Sequence, residues 1–181
     1  MTCDHVFKLT VTEMLTDAKQ YCKALVLRLK ARRTTEECHV ELNRIGNDIK
    51  MDATTNIDAI IECVIQMRPA LGSPNYEQTS RLYDSILDQT QKIMEDLDKT
   101  FAGIFEEFNR NMERLWQAIV NDRDDELQIV QENFQTILTK YSAQWNRAFL
   151  HANDKVRGFE QQLVQKSLES NSEQRNSRDK K

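Results

Sequence analysis

Glu36-x-x-His39 sets a carboxylate and an imidazole three residues apart, on one face of a helix. That is half of the ligand set of a di-iron helical bundle, which needs a second such pair and two further carboxylates. Neither His5 nor His151 has a Glu three residues before it. Cys38-His39 offers two zinc-type ligands side by side, but no second pair stands at ligand spacing. The metal readings are outweighed in both cases. There is no glycine-rich phosphate loop and no nucleophile motif. The residues therefore name no catalytic group, no metal and no cofactor, and the chain reads as a binding or scaffold protein rather than an enzyme.

Two further groups have chemical potential. Arg28, Lys30, Arg32 and Arg33 form a basic cluster that suits a phosphate contact or a nuclear import signal. The plainer reading, cations at the C-terminus of a helix, carries more weight. Phe101, Phe105, Phe108, Trp116, Phe134, Tyr141, Trp145 and Phe149 recur at helical spacing. That spacing favours a core or a partner interface over a ligand groove. The four cysteines, Cys3, Cys22, Cys38 and Cys63, show no tight pairing pattern and read as reduced thiols of the cytosol or nucleus.

The elements that position these residues follow from composition. Apolar residues are 39% of the 181, charged residues 30%, and there are only 4 Gly and 2 Pro. Turns need Gly, Pro, Asn and Asp in clusters, so few breakers with high charge favour long helices that bury one stripe. A net charge of −4 gives no bulk attraction to nucleic acid or acidic lipid. The opening MTCDHVFKL has no apolar signal core, and no run approaches the ~18 apolar residues of a membrane span.

The expected class is all-α and elongated: a short helical head over 1–72, a long coiled-coil stalk over 73–168, and a disordered tail over 169–181. T10-V-T-E13 is a capping box that opens a first helix. Its stripe, Val11, Leu15, Ala18, Cys22, Leu25 and Leu29, steps by 4 and 3 and needs a partner along its length. T34-T-E-E37 opens a second helix, which frays or ends near Gly46, and T55-N-I-D58 opens a short third helix that stops before Pro69. Ser73 is the expected N-cap of the stalk, with Pro74 at its first position. The stalk stripe includes Ile93, Leu97, Ile104, Phe108, Leu115 and Ile119, and resumes after NDRDDE with Phe134, Tyr141 and Trp145. Unbroken, residues 74–168 extend roughly 140 Å at 1.5 Å per residue. A break at 121–126, with Asp122 as cap, turns the rod into a hairpin instead. Unless the chain folds back, a partner must cover this stripe, and the residues named from Val11 to Trp145 are its expected interface.

Two blocks resemble a known family. FKLTVTEMLTDAKQYCKAL and NIDAIIECVIQMRPALGSPNYEQTSRLYDSILDQTQKI are similar to the start and the middle of Nsl-type subunits of the kinetochore MIND (Mis-twelve) complex. They cover Phe7–Leu25 and Asn56–Ile93, about a third of the chain. The resemblance implies a non-catalytic structural subunit of a coiled-coil hetero-oligomer in the nucleus. That complex links centromere-bound proteins to the outer, microtubule-binding kinetochore in mitosis. It implies sister subunits and other kinetochore complexes as partners, with no membrane and no direct nucleic acid. The rival expectation is a coiled-coil subunit of a cytoplasmic vesicle-tethering or lysosome-positioning complex.

Overall fold

The computed structural model describes residues 18–178, apart from positions 33, 74 and 122. Among them the fold is all-α, with four helices: α1 (Ala18–Lys30), α2 (Thr35–Gln66), α3 (Tyr76–Val120) and α4 (Asp124–Arg178). α2, α3 and α4 pack in turn against one another as antiparallel neighbours, and α1 packs on α3 and α4. Cys38 Sγ lies 3.6 Å from the Leu29 carbonyl, joining α1 to α2. The His39 ring lies on that of Trp116, at 4.5 Å between centroids, and the Lys50 ammonium sits over Phe105, so the start of α2 meets the end of α3. Phe108 meets Phe134, and Phe101 meets Trp145, along α3 and α4.

The local signals explain most of these boundaries. Thr34 caps α2 as expected: its hydroxyl accepts from the Glu37 N–H at 3.1 Å, and the Glu37 carboxylate accepts from the Thr34 N–H. α2 ends at Gln66, three residues before Pro69, where a missing N–H and a clash with the preceding turn forbid continuation. The box at Thr10 lies outside the described residues.

Three expectations are corrected. First, Gly46 does not end a helix, and Thr55 does not start one. The Thr55 hydroxyl donates to the Met51 carbonyl, inside a continuous 32-residue α2. A mid-helix glycine costs about 1 kcal/mol against alanine, which packing along the whole of α2 outweighs. Second, the stalk helix starts at Tyr76, after Asn75 in the left-handed region at φ 64°, so Ser73 is not its N-cap; Pro74 lies outside the described residues. Asn tolerates that conformation better than most residues. Third, helical backbone runs to Arg178, into the segment whose lack of apolar anchors predicts disorder.

Of the two arrangements left open, rod and hairpin, the chain adopts the hairpin. The rod breaks within the segment 121–126, and α4 turns back along α3. Arg123 holds the turn: its N–H bonds to the Ala118 carbonyl, and its guanidinium pairs with Glu126. Asp122, the expected cap, lies outside the described residues. Folding back supplies the partner that the stripe demands. Residues from all four helices then share one core, so the two sides of the turn at 67–75 are packed together.

Candidate functional site

The side chains with chemical potential are spent on structure. Cys38 is buried while its neighbour His39 is exposed and covers Trp116, so the pair does not converge. Among the described residues no three His, Cys, Asp or Glu side chains come together. Cys22 and Cys38 are free and buried, and burial pushes the Cys22 thiol up to about 12, far from a reactive thiolate. Cys63 is disulfide-bonded, contrary to the expectation of reduced thiols throughout. Of the basic cluster, Arg28 and Arg32 both reach back to Glu41, as does Arg44 from one turn further on. The Glu41 side chain is only 7% exposed. Three guanidiniums around one carboxylate tie the end of α1 to α2 and leave less charge free for phosphate.

The expected interface stripe is corrected by the hairpin. Val11 and Leu15 lie outside the described residues. Cys22, Leu25, Leu29, Ile93, Leu97, Ile104, Phe108, Leu115, Phe134, Tyr141 and Trp145 are all buried within the chain, and Ile119 packs against them half-buried. The spacing correctly marks a face to be covered, but it does not say by what. The aromatic residues form an internal ladder, with Phe101 edge-on to Trp145 at 5.7 Å and Phe108 against Phe134 at 5.6 Å. Burial raises the Tyr141 hydroxyl well above its usual value, and the neighbouring Glu107 carboxylate adds to this, although the two fall short of hydrogen-bond geometry.

Among the uncovered apolar surfaces is a face at the end of the bundle far from the 121–123 turn. Ile61, Ile65, Pro69, Tyr76 and Leu87 line an open cleft between the end of α2 and the start of α3, with Arg68, Ser80 and Asp84 among them. Ile65 is 54% exposed, and Leu71, in the connecting turn, 87%. Two left-handed positions, Gly72 at φ 84° and Asn75 at φ 64°, shape the turn that presents it. The signal for this face stands in the sequence. Ile60-Ile61 and Val64-Ile65 are apolar doublets one turn apart, so α2 carries two apolar stripes. Ile60 and Val64 fill the core, at 0% exposure, and the second member of each doublet is left for the cleft. No helix among the described residues is long and apolar enough to cross a membrane. Comparison of the chain with models of protein families, with curated proteins and with solved structures finds no match.

Proposed function

We propose that this chain is a non-catalytic structural subunit of a hetero-oligomeric helical complex, and that the α2–α3 cleft is a face it gives to a sister subunit. The observation that carries this reading is the cleft itself, with Ile61, Ile65, Tyr76 and Leu87 in one opening and Leu71 exposed in the turn that connects its two helices. Covering one such side chain contributes roughly 1.5–3 kcal/mol. A contiguous exposed set of them marks a contact. The interleaved Arg68, Ser80 and Asp84 suit a partner helix with an apolar stripe and polar flanks. The cleft falls within Asn56–Ile93, the longer of the two blocks that resemble Nsl-type subunits. On that resemblance the complex belongs to the kinetochore, in the nucleus of dividing cells, and joins centromere-bound proteins to the outer, microtubule-binding layer.

The test is a tagged purification from mitotic cells, with mass spectrometry of the stable co-purifying chains. It compares the full-length chain with an Ile65→Asp, Leu71→Asp double variant. The proposal expects helical kinetochore subunits with the first and their loss with the second. Recovery of vesicle or lysosome coat chains would move the reading to a cytoplasmic tethering complex. Recovery of the chain alone would overturn the subunit reading.

A further inference from the structure

Of the two prolines only Pro74 follows a hydroxyl residue, so Ser73-Pro74 is the one such dipeptide in the chain. Ser73 stands in the connection between α2, which ends at Gln66, and α3, which begins at Tyr76. That connection is the longest between the described helices, the others spanning 31–34 and 121–123. It is open to solvent: Leu71 is 87% exposed, Gly72 is exposed and Ser73 is half-buried. Two backbone bonds hold it around Ser73. One runs from the Ser73 N–H to the Ala70 carbonyl and one from the Tyr76 N–H to the Ser73 carbonyl, each at 3.1 Å. Both pass to water when the turn opens. Hydroxyls within the helices are held otherwise. Those of Thr55, Thr79, Thr90, Thr100, Thr136 and Thr139 each donate to the carbonyl four residues back, on backbone that extends only by unwinding. A residue before proline is also pushed away from helical backbone toward the extended region. Two cationic features flank Ser73. Arg68 is exposed in the same connection and makes no ion pair among the described residues. Asn75, the N-cap of α3, makes no side-chain cap bond to the positive end of that helix.

We propose that Ser73 accepts a phosphoryl group from a proline-directed protein kinase, and that Arg68 and the first turn of α3 then hold the phosphate. A kinase of this class takes its substrate as an extended segment and reads the proline after the acceptor. Ser73-Pro74, in an open connection held by two backbone bonds, meets both requirements. In the transfer the Ser73 Oγ attacks the γ-phosphorus of a nucleoside triphosphate. The new O–P bond forms as the bond to the bridging oxygen breaks, and the nucleoside diphosphate leaves. The hydroxyl proton passes to the catalytic carboxylate of the kinase. The product carries a charge of about −1.5 to −2 near pH 7. The Arg68 guanidinium and the N-terminus of the 45-residue α3 both attract that charge. The carboxylates nearest in the chain are Glu77, which Arg81 pairs, and Asp84. Arg68 and Tyr76 line the α2–α3 cleft, so the phosphate is added at its rim.

The test treats the purified full-length chain with a proline-directed serine/threonine kinase, ATP and magnesium, then applies peptide mapping and phosphorus NMR. The expected result is label on Ser73, lost in Ser73→Ala and slowed about tenfold or more in Pro74→Ala. The phosphoserine should titrate about 0.5–1 pH unit below its usual value near 6, and Arg68→Ala should reverse most of that shift. Circular dichroism checks that each variant keeps its helices. If Ser73 stays unlabelled in the folded chain while a free peptide of residues 66–78 is labelled, the turn does not open and the proposal fails. Equal labelling of Pro74→Ala would overturn the proline-directed assignment. A phosphate that titrates as it does in the free phosphopeptide would overturn the role of Arg68 and α3. The isolated chain carries every measurement, so the outcome is independent of the subunit reading.

Discussion

Glu41 meets three guanidiniums, and its environment sets a clear expectation. Its side chain is 7% exposed, but Arg28, Arg32 and Arg44 are 44%, 39% and 51% exposed and can rehydrate. Glu41→Gln should therefore cost about 1–2 kcal/mol in urea unfolding, below the cost of breaking a fully buried pair. Arg28→Ala alone should cost under about 1 kcal/mol, because two guanidiniums remain. Gly46 carries the opposite expectation. A Cβ there would meet Phe105 Cζ at 3.5 Å, an ordinary contact, so Gly46→Ala should be neutral or stabilising by up to about 1 kcal/mol. A loss above that size would show that the α2–α3 contact is tighter than described. Alkali supplies a further test. Burial raises Cys22 from 9.0 to about 12 and raises Tyr21 and Tyr141 above 10.0, so the folded state holds these protons more tightly than the unfolded state. Their contribution is full below pH 9 and declines as pH rises through 9 to 12. The urea midpoint should fall as pH rises from 9 to 12, and Cys22→Ala should flatten the first part of that fall.

At the scale of elements, the sequence states what each helix must bury more clearly than where each helix ends. The Thr34 capping box is legible because four residues within one turn determine it. Gly46 and Thr55 mislead because an isolated glycine and a cap-like string weigh about 1 kcal/mol each, less than the packing of a 32-residue helix. The stripe through Ile104 and Phe108 is legible as a buried face, but its cover is not, since period alone does not distinguish a sister chain from the same chain turned back. That difference reassigns an experiment. Ile104→Asp with Phe108→Asp places two carboxylates in the chain's own core, where the two residues are 7% and 3% exposed. Circular dichroism and urea titration should show the isolated chain largely unfolded. Ile65→Asp with Leu71→Asp changes surface residues and should alter stability by within about 0.5 kcal/mol. If the first pair leaves the isolated chain folded and only disrupts co-purification, the stripe is an interface after all.

For the whole molecule, the governing fact is that a chain with few breakers places one turn at 121–123 and thereby covers its own longest stripe. The all-α class follows from composition. The choice between a rod and a hairpin turns on a single short polar segment, NDRDDE, whose Arg123–Glu126 pair and backbone bonds become visible only in three dimensions. Asp96 and Lys155 line the same crevice between α3 and α4. Spin labels at these two positions, in a dilute sample mixed with excess unlabelled chain, measure the hairpin directly by pulsed electron resonance. Packed helices lie 8–10 Å apart, so with the label arms the expected separation is roughly 10–25 Å. A continuous rod would hold the same positions about 90 Å apart at 1.5 Å per residue, and the absence of any short distance would contradict the hairpin.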